Sequence, residues 1–512
     1  MEDSTIYLLG CLFLFTLTCI IKFLMKTWWT PIRLQSAMRL QGIKGPPYRF
    51  LHGNTKEITK MRIEVTSSPM ELSHHMLSRI EPHVYSWSKQ YGMNFLTWYG
   101  PRAHLVVTET ELVKEVLNNK DGTYTKAVIQ SYADKFLGDG LVASQGEKWC
   151  KMRKLANYAF HGESLKRMTL EMIASVEAMI ERWRQDGAKE IEVYHEFKLL
   201  TAEIISRTAF GSSYLEGQHI FDMMGGMAHI VGRNNYKVKI PGMKNFWRTS
   251  DDIESDQLQE RIRDVIMKMI KKREDDVAGD QEDSYGTDFL GLLVKAHHEN
   301  DKAKQITLDD LVDECKTFYV AGHETTTSSL TWTILLLAIH RDWQERVREE
   351  VLELFGSANP SPDGIGRLKT MSMVINESLR MYPSVFNLTR EVQREVRLGK
   401  ALVPAKTTLS LPVLAPHSNE QIWGADVHLF RPERFADFGA RAARENKAEY
   451  LPFGLGPRSC VGMNFAVAEM KIALSMILQH YSLSLSPSYV HSPIHIITIR
   501  PKHGLQIIFQ AM

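Results

Sequence analysis

Residues 453–462 read FGLGPRSCVG, a lone cysteine set among glycines, a proline and an arginine. An apolar stretch patterned as a helix follows at once, MNFAVAEMKIALSMIL (463–478). A thiol just ahead of a helix start meets the positive end of the helix dipole and free N–H groups, and both favour the thiolate. Arg458, two residues earlier, adds positive charge. Gly454 and Gly456 let a flat, bulky ligand lie against the loop without Cβ clashes. A thiolate held this way is a nucleophile or a metal ligand. A nucleophile wants a base, and no histidine stands close in sequence. An axial metal ligand wants N–H donors to the sulfur and a dry shell instead.

Composition sets the bounds. The chain has 512 residues, 44% hydrophobic and 24% charged, an ordinary globular balance. A net charge of +2 and a pI near 8.1 argue against a dedicated nucleic-acid binder. The five cysteines (Cys11, Cys19, Cys150, Cys315, Cys460) are scattered and lack C-x-x-C spacing, so they form neither a disulfide framework nor a zinc site. A reducing compartment suits the main body, with Cys150 and Cys315 read as buried small hydrophobes.

The N-terminus differs. IYLLGCLFLFTLTCII (6–21) carries no charge, and KFLM extends it to the roughly 20 residues that cross hydrocarbon. Lys22, Lys26, Arg33, Arg39 and Lys44 follow it, while Glu2 and Asp3 precede it, so the C-terminal body is expected in the cytosol. A cleaved leader would need a basic n-region, which is missing. The expected organisation is a membrane anchor over 1–26, a linker and Pro-rich hinge over 27–50 containing GIKGPPY, and a body over 51–512. That body reads as one large domain, mainly α with minor β: strands within 95–108, mostly helix from 145 to 350, an exposed charged loop at 271–286, and strand-like segments after 395.

The longest helix candidate runs from Thr307 to His340, with Thr307 and Asp310 as its cap. AGHETTT (321–327) interrupts its apolar face. Threonine hydroxyls can bond back to the carbonyl four residues earlier and bend a helix. Gly322 admits a close neighbour, and Glu324 with Thr325 can hold a water or pass a proton. A polar face at a helix crossing is the plainer alternative. In NESLRMYP, Glu377 and Arg380 are neighbours on one helix face, and Arg434 in FRPERF could complete a carboxylate–guanidinium network. An exposed ion pair is the plainer alternative there.

In their order and spacing these motifs resemble the cytochrome P-450 (haem-thiolate monooxygenase) family. FGLGPRSCVG fits its cysteine-loop pattern at Phe453, Gly456, Arg458, Cys460 and Gly462. AGHETT fits its oxygen-binding helix, ESLR its E-x-x-R pair, PERF the arginine partner, and WCKMR a W-x-x-x-R pair, Trp149 and Arg153. The resemblance implies the family's single-domain fold and haem b (iron protoporphyrin IX) bound through Cys460. It implies Glu324 and Thr325 as the acid–alcohol pair that delivers protons to dioxygen, and Ala321 and Gly322 at the distal pocket. Trp149, Arg153, Arg390 and Arg458 become haem-propionate partners, with Phe453 and Gly456 in the cofactor loop. Glu377, Arg380 and Arg434 become a structural triad, and His323 a packed histidine rather than a ligand.

No flavin or dinucleotide fingerprint is present, so the resemblance also implies electrons from NADPH through a separate NADPH-cytochrome reductase. Lys151 and Lys154 would suit such an acidic partner. In overall style the chain is similar to the plant microsomal clan named for secologanin synthase. That implies a single-pass protein of the endoplasmic reticulum membrane and a lipophilic substrate, steroid or terpenoid. Pocket residues are expected within 128–137, 221–227, 318–325 and 384–388. Two alternatives share the fold: a peroxide-rearranging lyase or isomerase, which an intact Glu324–Thr325 pair argues against, and a non-enzymatic haem-binding sensor.

Overall fold

The computed structural model describes residues 2–127, 132–185, 187, 189–212, 214–235, 237, 248–275, 285–437 and 448–512. The chain is helical from Glu2 to Leu24, widens through one π-helical turn at Met25–Trp29, and continues as Thr30–Leu40. This is the one helix among the described residues long and apolar enough to cross a membrane; its most apolar window has a mean hydropathy of 2.3 and is wholly exposed.

The segment behind it, which contains GIKGPPY, is hydrogen-bonded to its neighbours. Leu96 N–H donates to Lys44 O at 2.9 Å, and Tyr48 N–H to Gln35 Oε1 at 2.8 Å. Tyr48 stacks edge-on against Trp98 at 5.1 Å, and Met38 is buried in the same apolar cluster. Gly45 allows the approach, since a Cβ there would stand 1.9 Å from Leu96 O. The prolines stiffen the segment, and the body holds it.

The long helix is Leu308–Ile339. Its start is a capping box: Thr307 Oγ1 accepts from Asp310 N–H at 3.1 Å and Asp310 Oδ2 accepts from Thr307 N–H at 3.0 Å. Threonine and serine are weak helix formers, yet most of this helix is buried, so packing rather than propensity holds it. Helices Gly162–Gln185, Val193–Phe210, Lys369–Met381 and Met463–His480 join it in one apolar cluster that reaches from Met76 to Phe509. Ser250–Asp275 is a helix, so 271–275 of the expected charged loop are helical, and 276–284 lie outside the described residues.

The β part sits to one side. A five-stranded sheet runs in the order Asn94–Tyr99, Arg102–Val107, Thr408–Pro412, Asn387–Val392, Tyr124–Lys126. Its last pairing is antiparallel and sets Lys126 opposite Arg390. Gln506–Ala511 lies between Glu190–Glu192 and Tyr481–Leu485 in a second sheet.

Candidate functional site

A cavity of about 330 Å³ opens between the long helix and the 451–462 loop. The helix gives it Phe318, Ala321, Gly322 and Thr325, and the loop gives it Phe453, Gly454, Arg458 and Cys460. The sequence-expected Trp149, Arg153 and Arg390 face it as well.

The loop is built by its own backbone. Gly454 N–H donates to Leu451 O at 3.1 Å, Ser459 N–H to Gly456 O at 3.0 Å, and Cys460 N–H to Phe453 O at 2.8 Å. Gly462 caps the Met463–His480 helix. Cys460 is exposed toward the cavity while protein surrounds its other sides. Burial pushes its thiol up from the ordinary cysteine range; the Gly462 N–H and the Arg153 charge pull the other way without winning. The thiolate expected from dipole and arginine alone is therefore not what the bare protein favours, and a bound cation has to supply the rest.

Gly456 does not line the cavity. Its φ is +74°, and a Cβ there would stand 2.2 Å from Leu117 O, so this glycine serves the packing of the loop on the Thr110–Asn118 helix. Gly454, with φ +72°, does face the cavity, and its nearest neighbour to a built Cβ is 3.9 Å away. Gly322 also faces it, but the space its missing Cβ leaves is taken by Ile205 Cδ1, 2.7 Å from the built position.

Four cations crowd one end of the cavity: Arg153, Arg390, Arg458 and Lys126. Arg153 Nη1 donates to Ser459 O at 2.5 Å, and Arg390 Nη1 to Thr389 O at 2.9 Å. The Arg458 guanidinium lies over the Trp149 ring at 4.3 Å, and its Nη1 is buried without a partner. Among the described residues none of the four has a carboxylate partner. Burial, then Arg390 and Arg458, push Lys126 down to about 8; burial, then Arg390, pushes Arg458 down to about 10. Buried, mutually repelling cations are costly unless an anion joins them. A flat macrocycle with two carboxylates, its metal within reach of Cys460, fits this donor set. Sequence reasoning missed Lys126, a single lysine in a short strand; only the register opposite Arg390 brings it here.

On the helix side, Thr325 Oγ1 donates to Ala321 O at 2.7 Å, and Thr326, Thr327 and Ser329 bond back in the same way. Glu324 does not line the cavity. It faces the Tyr194 side, where its charge adds to burial in raising that phenol to about 12. His323 is buried, accepts or donates at Nδ1 with Thr201 Oγ1 at 2.8 Å, and is pushed down to about 3 by burial. It is a packed histidine.

Glu377 and Arg380 are fully buried, not a surface pair. Arg380 Nε and Nη2 grip the two carboxylate oxygens at 2.7 and 2.8 Å. Arg434 joins more loosely, 3.6 Å from Glu377 Oε1, and is held chiefly by Asp426 at 2.6 Å. Cys150 is exposed rather than buried, because its helix turns that face outward. Cys315 is buried, as expected.

Of the expected pocket residues, Ser384, Val385 and Leu388 face the cavity, as do Phe318, Ala321, Gly322 and Thr325 of the long helix; Tyr319, Val320, His323 and Glu324 do not. None of 221–227 does; Phe221 packs at 5.2 Å against both Tyr319 and His323. Of 128–137, residues 128–131 lie outside the described residues, and 132–137 do not line the cavity. Leu141 and Val142 take that place.

The family model described as Cytochrome P450 matches residues 70–508. The chain belongs to the cytochrome P450 family. A cytochrome P450 of Panax ginseng is 55% identical over 508 residues, covering 99% of this chain and 97% of its own. Secologanin synthase 2 of Catharanthus roseus is 38% identical over 95% of this chain and 93% of its own, and 11-oxo-beta-amyrin 30-oxidase of Glycyrrhiza uralensis 39% over 95% and 94%. The chain is thus a P450 enzyme of the monooxygenase class, among plant relatives named as oxidases and hydroxylases, and its family implies haem-thiolate iron.

Proposed function

We propose that this P450 is a membrane-anchored monooxygenase that hydroxylates a lipophilic steroid, terpenoid or related isoprenoid. The observation that carries the reading is the single cavity that joins unpaired buried cations, Cys460 and Thr325. Cys460 Sγ would ligate the haem iron, losing the proton that burial otherwise retains. Arg153, Arg390, Arg458 and Lys126 would hold the propionates, and Trp149 would keep the Arg458 guanidinium in place. Ala321, Gly322, Phe453 and Gly454 would bound its faces, with Gly456 setting the loop from outside the cavity. When bound, the haem supplies dioxygen activation, with the thiolate ligand favouring O–O cleavage.

The chain's own part is positioning and proton supply. Thr325 Oγ1, resting on Ala321 O, would turn to hold a water or pass a proton into the cavity. Glu324, on the far side of the same turn, would recharge that position from the Tyr194 side. Leu141, Val142, Phe160, Phe318, Val385 and Leu388 would exclude water and hold an apolar skeleton. The relative named for an amyrin substrate supports a terpenoid-sized ligand.

The Thr5–Leu40 helix supports an anchor ahead of a body that begins near residue 51, with 27–50 as a packed connector. Five cations after the span support a cytosolic body on the endoplasmic reticulum. Electrons would come from NADPH through its cytochrome reductase, and exposed Lys154, on the helix that carries Arg153, suits that docking. The test is turnover of the haem-loaded chain with reductase, NADPH and labelled dioxygen across sterols, diterpenoid acids and triterpenoids. A hydroxylated product that carries the label and needs NADPH supports the reading. Conversion of a hydroperoxide without NADPH would replace it with the lyase reading.

A further inference from the structure

Behind the cavity lies a cluster of rings that oxygen insertion does not use. Trp332 sits three residues beyond cavity-lining Ser329 on the long helix, about 4.5 Å along its axis. Tyr382 lies in the chain between Leu379 and Ser384, which both face the cavity. Both rings are fully buried and stacked, with centroids 4.6 Å apart and planes 15° from parallel. Tyr382 Oη is 2.5 Å from His74 Nδ1. His491 stands edge-on to both rings, 6.0 Å from Trp332 and 6.4 Å from Tyr382, and its Nδ1 is 2.8 Å from Tyr489 Oη. Tyr489 is half-buried beside exposed Val490. Trp332 and Tyr382 thus adjoin cavity-lining residues, His491 stands against both, and Tyr489 follows on the side toward the surface.

Packing accounts for buried aromatic rings, but not for the pairing of each phenol with an imidazole. A phenol that gives up an electron becomes a strong acid, and the hole stays on it only if its proton moves. A neutral imidazole at hydrogen-bond distance takes that proton. Burial keeps both imidazoles neutral and therefore able to accept. His74 is pushed down to about 4, by burial first and then by His340, His75, Arg380 and His428. His491 is pushed down to about 3, by burial and then by His74 and Arg79.

We propose that Trp332, Tyr382 and Tyr489 form an electron-supply chain that quenches the oxidant of the monooxygenase reaction when no substrate C–H bond is in reach. The proposal rests on the monooxygenase reading above. One electron passes from Tyr382 through Trp332 to the oxidant, and the Tyr382 Oη–H proton moves to His74 Nδ1. The Tyr382 phenoxyl then takes an electron from Tyr489 and its proton back from His74, while the Tyr489 proton moves to His491 Nδ1. A soluble thiol gives a hydrogen atom to Tyr489, and His491 releases its proton to solvent. Each passage delivers one electron, releases one proton and leaves one thiyl radical; two passages with uptake of two protons quench the oxidant to water, and the two thiyl radicals pair as a disulfide.

The test uses the full haem-loaded chain, checked by its carbon monoxide band, mixed with a peracid without substrate, freeze-quenched and read by electron paramagnetic resonance. A tyrosyl signal is expected in the natural chain. It should be mostly lost in Tyr382→Phe, weakened in Trp332→Phe and His74→Gln, and unchanged in Tyr158→Phe, an exposed control. Haem bleaching during substrate-free turnover should quicken severalfold in Tyr382→Phe, and also in Tyr489→Phe, which removes one hydroxyl near the surface. A nitroso spin trap should mark Tyr382 or Tyr489 on peptide mapping. The same signal and bleaching rate in folded Tyr382→Phe, or no tyrosyl signal in the haem-loaded natural chain, overturns the proposal. A chain that binds no haem through thiolate overturns the monooxygenase reading instead.

Discussion

His417 ties Leu451, at the head of the cysteine loop, to the Glu377–Arg380 helix: its Nε2 accepts from Leu451 N–H at 2.8 Å. Its Nδ1 donates to Arg380 O at 3.1 Å. Both bonds together require the neutral imidazole, and burial, reinforced by Arg380, holds His417 down to about 3. The buried ion pair thus reaches the loop through one histidine. His417→Phe strands an N–H and a carbonyl, each worth about 1–3 kcal/mol. The expected outcome is a lower thermal midpoint and faster decay of the haem-thiolate band. An unchanged decay rate would remove His417 from that role.

Lys126 gives a two-sided prediction. Lys126→Met should weaken haem retention, by about 10- to 100-fold if one charged hydrogen bond is lost, read as the rate of haem transfer to an acceptor apoprotein. The haem-free variant should be more stable than the natural chain, because three crowded cations replace four. Lys126 is depressed from 10.5 to about 8 in the folded chain. The penalty is therefore full below about 8 and fades as pH rises toward 10.5, so the advantage of the variant should shrink across that window.

The two glycines of the loop separate backbone strain from contact. Gly454→Ala meets only its positive φ, a cost of about 1 kcal/mol. Gly456→Ala meets the same φ and also the Leu117 carbonyl, so roughly 2–4 kcal/mol is expected. Haem content and thermal midpoint should fall further in Gly456→Ala; the reverse order would refute this placement.

Glu81 is buried, with Oε1 near Asn387 Nδ2 at 3.2 Å and Oε2 unpartnered. Burial pushes its carboxyl from 4.5 up to about 8, against Asn387 and Arg62. A raised carboxyl pKa means stability is lost as pH rises through that window. Glu81→Gln has no such slope, so denaturant titrations should show it gaining on the natural chain between about pH 5 and pH 8, by roughly 1–3 kcal/mol.

The sequence shows most plainly what local chemistry dictates. Thr307 and Asp310 form the cap their spacing implies, and the threonine run bonds back to the carbonyls as expected. Cys460 and Arg458 of the loop, Arg153 of a helix and Arg390 of a strand meet at one cavity although they come from three separate segments. What stayed hidden depends on which way a side chain faces or what lies across a sheet. Glu324 and Thr325 are adjacent in sequence but point to different sides of one turn. Gly456 shares a motif with Gly454 but serves a different neighbour. Lys126 has no motif, and Cys150 belongs to an amphipathic helix whose outer face cannot be told from its inner one by a single small residue.

The central claim is that Cys460 sulfur binds the haem iron, and the carbon monoxide difference spectrum of reduced protein tests it most directly. The natural chain should show the red-shifted Soret band of thiolate ligation, and Cys460→Ser should lose that band while still taking up haem through its arginine cluster. A natural chain without the band, or a Cys460→Ser variant that keeps it, would contradict the account.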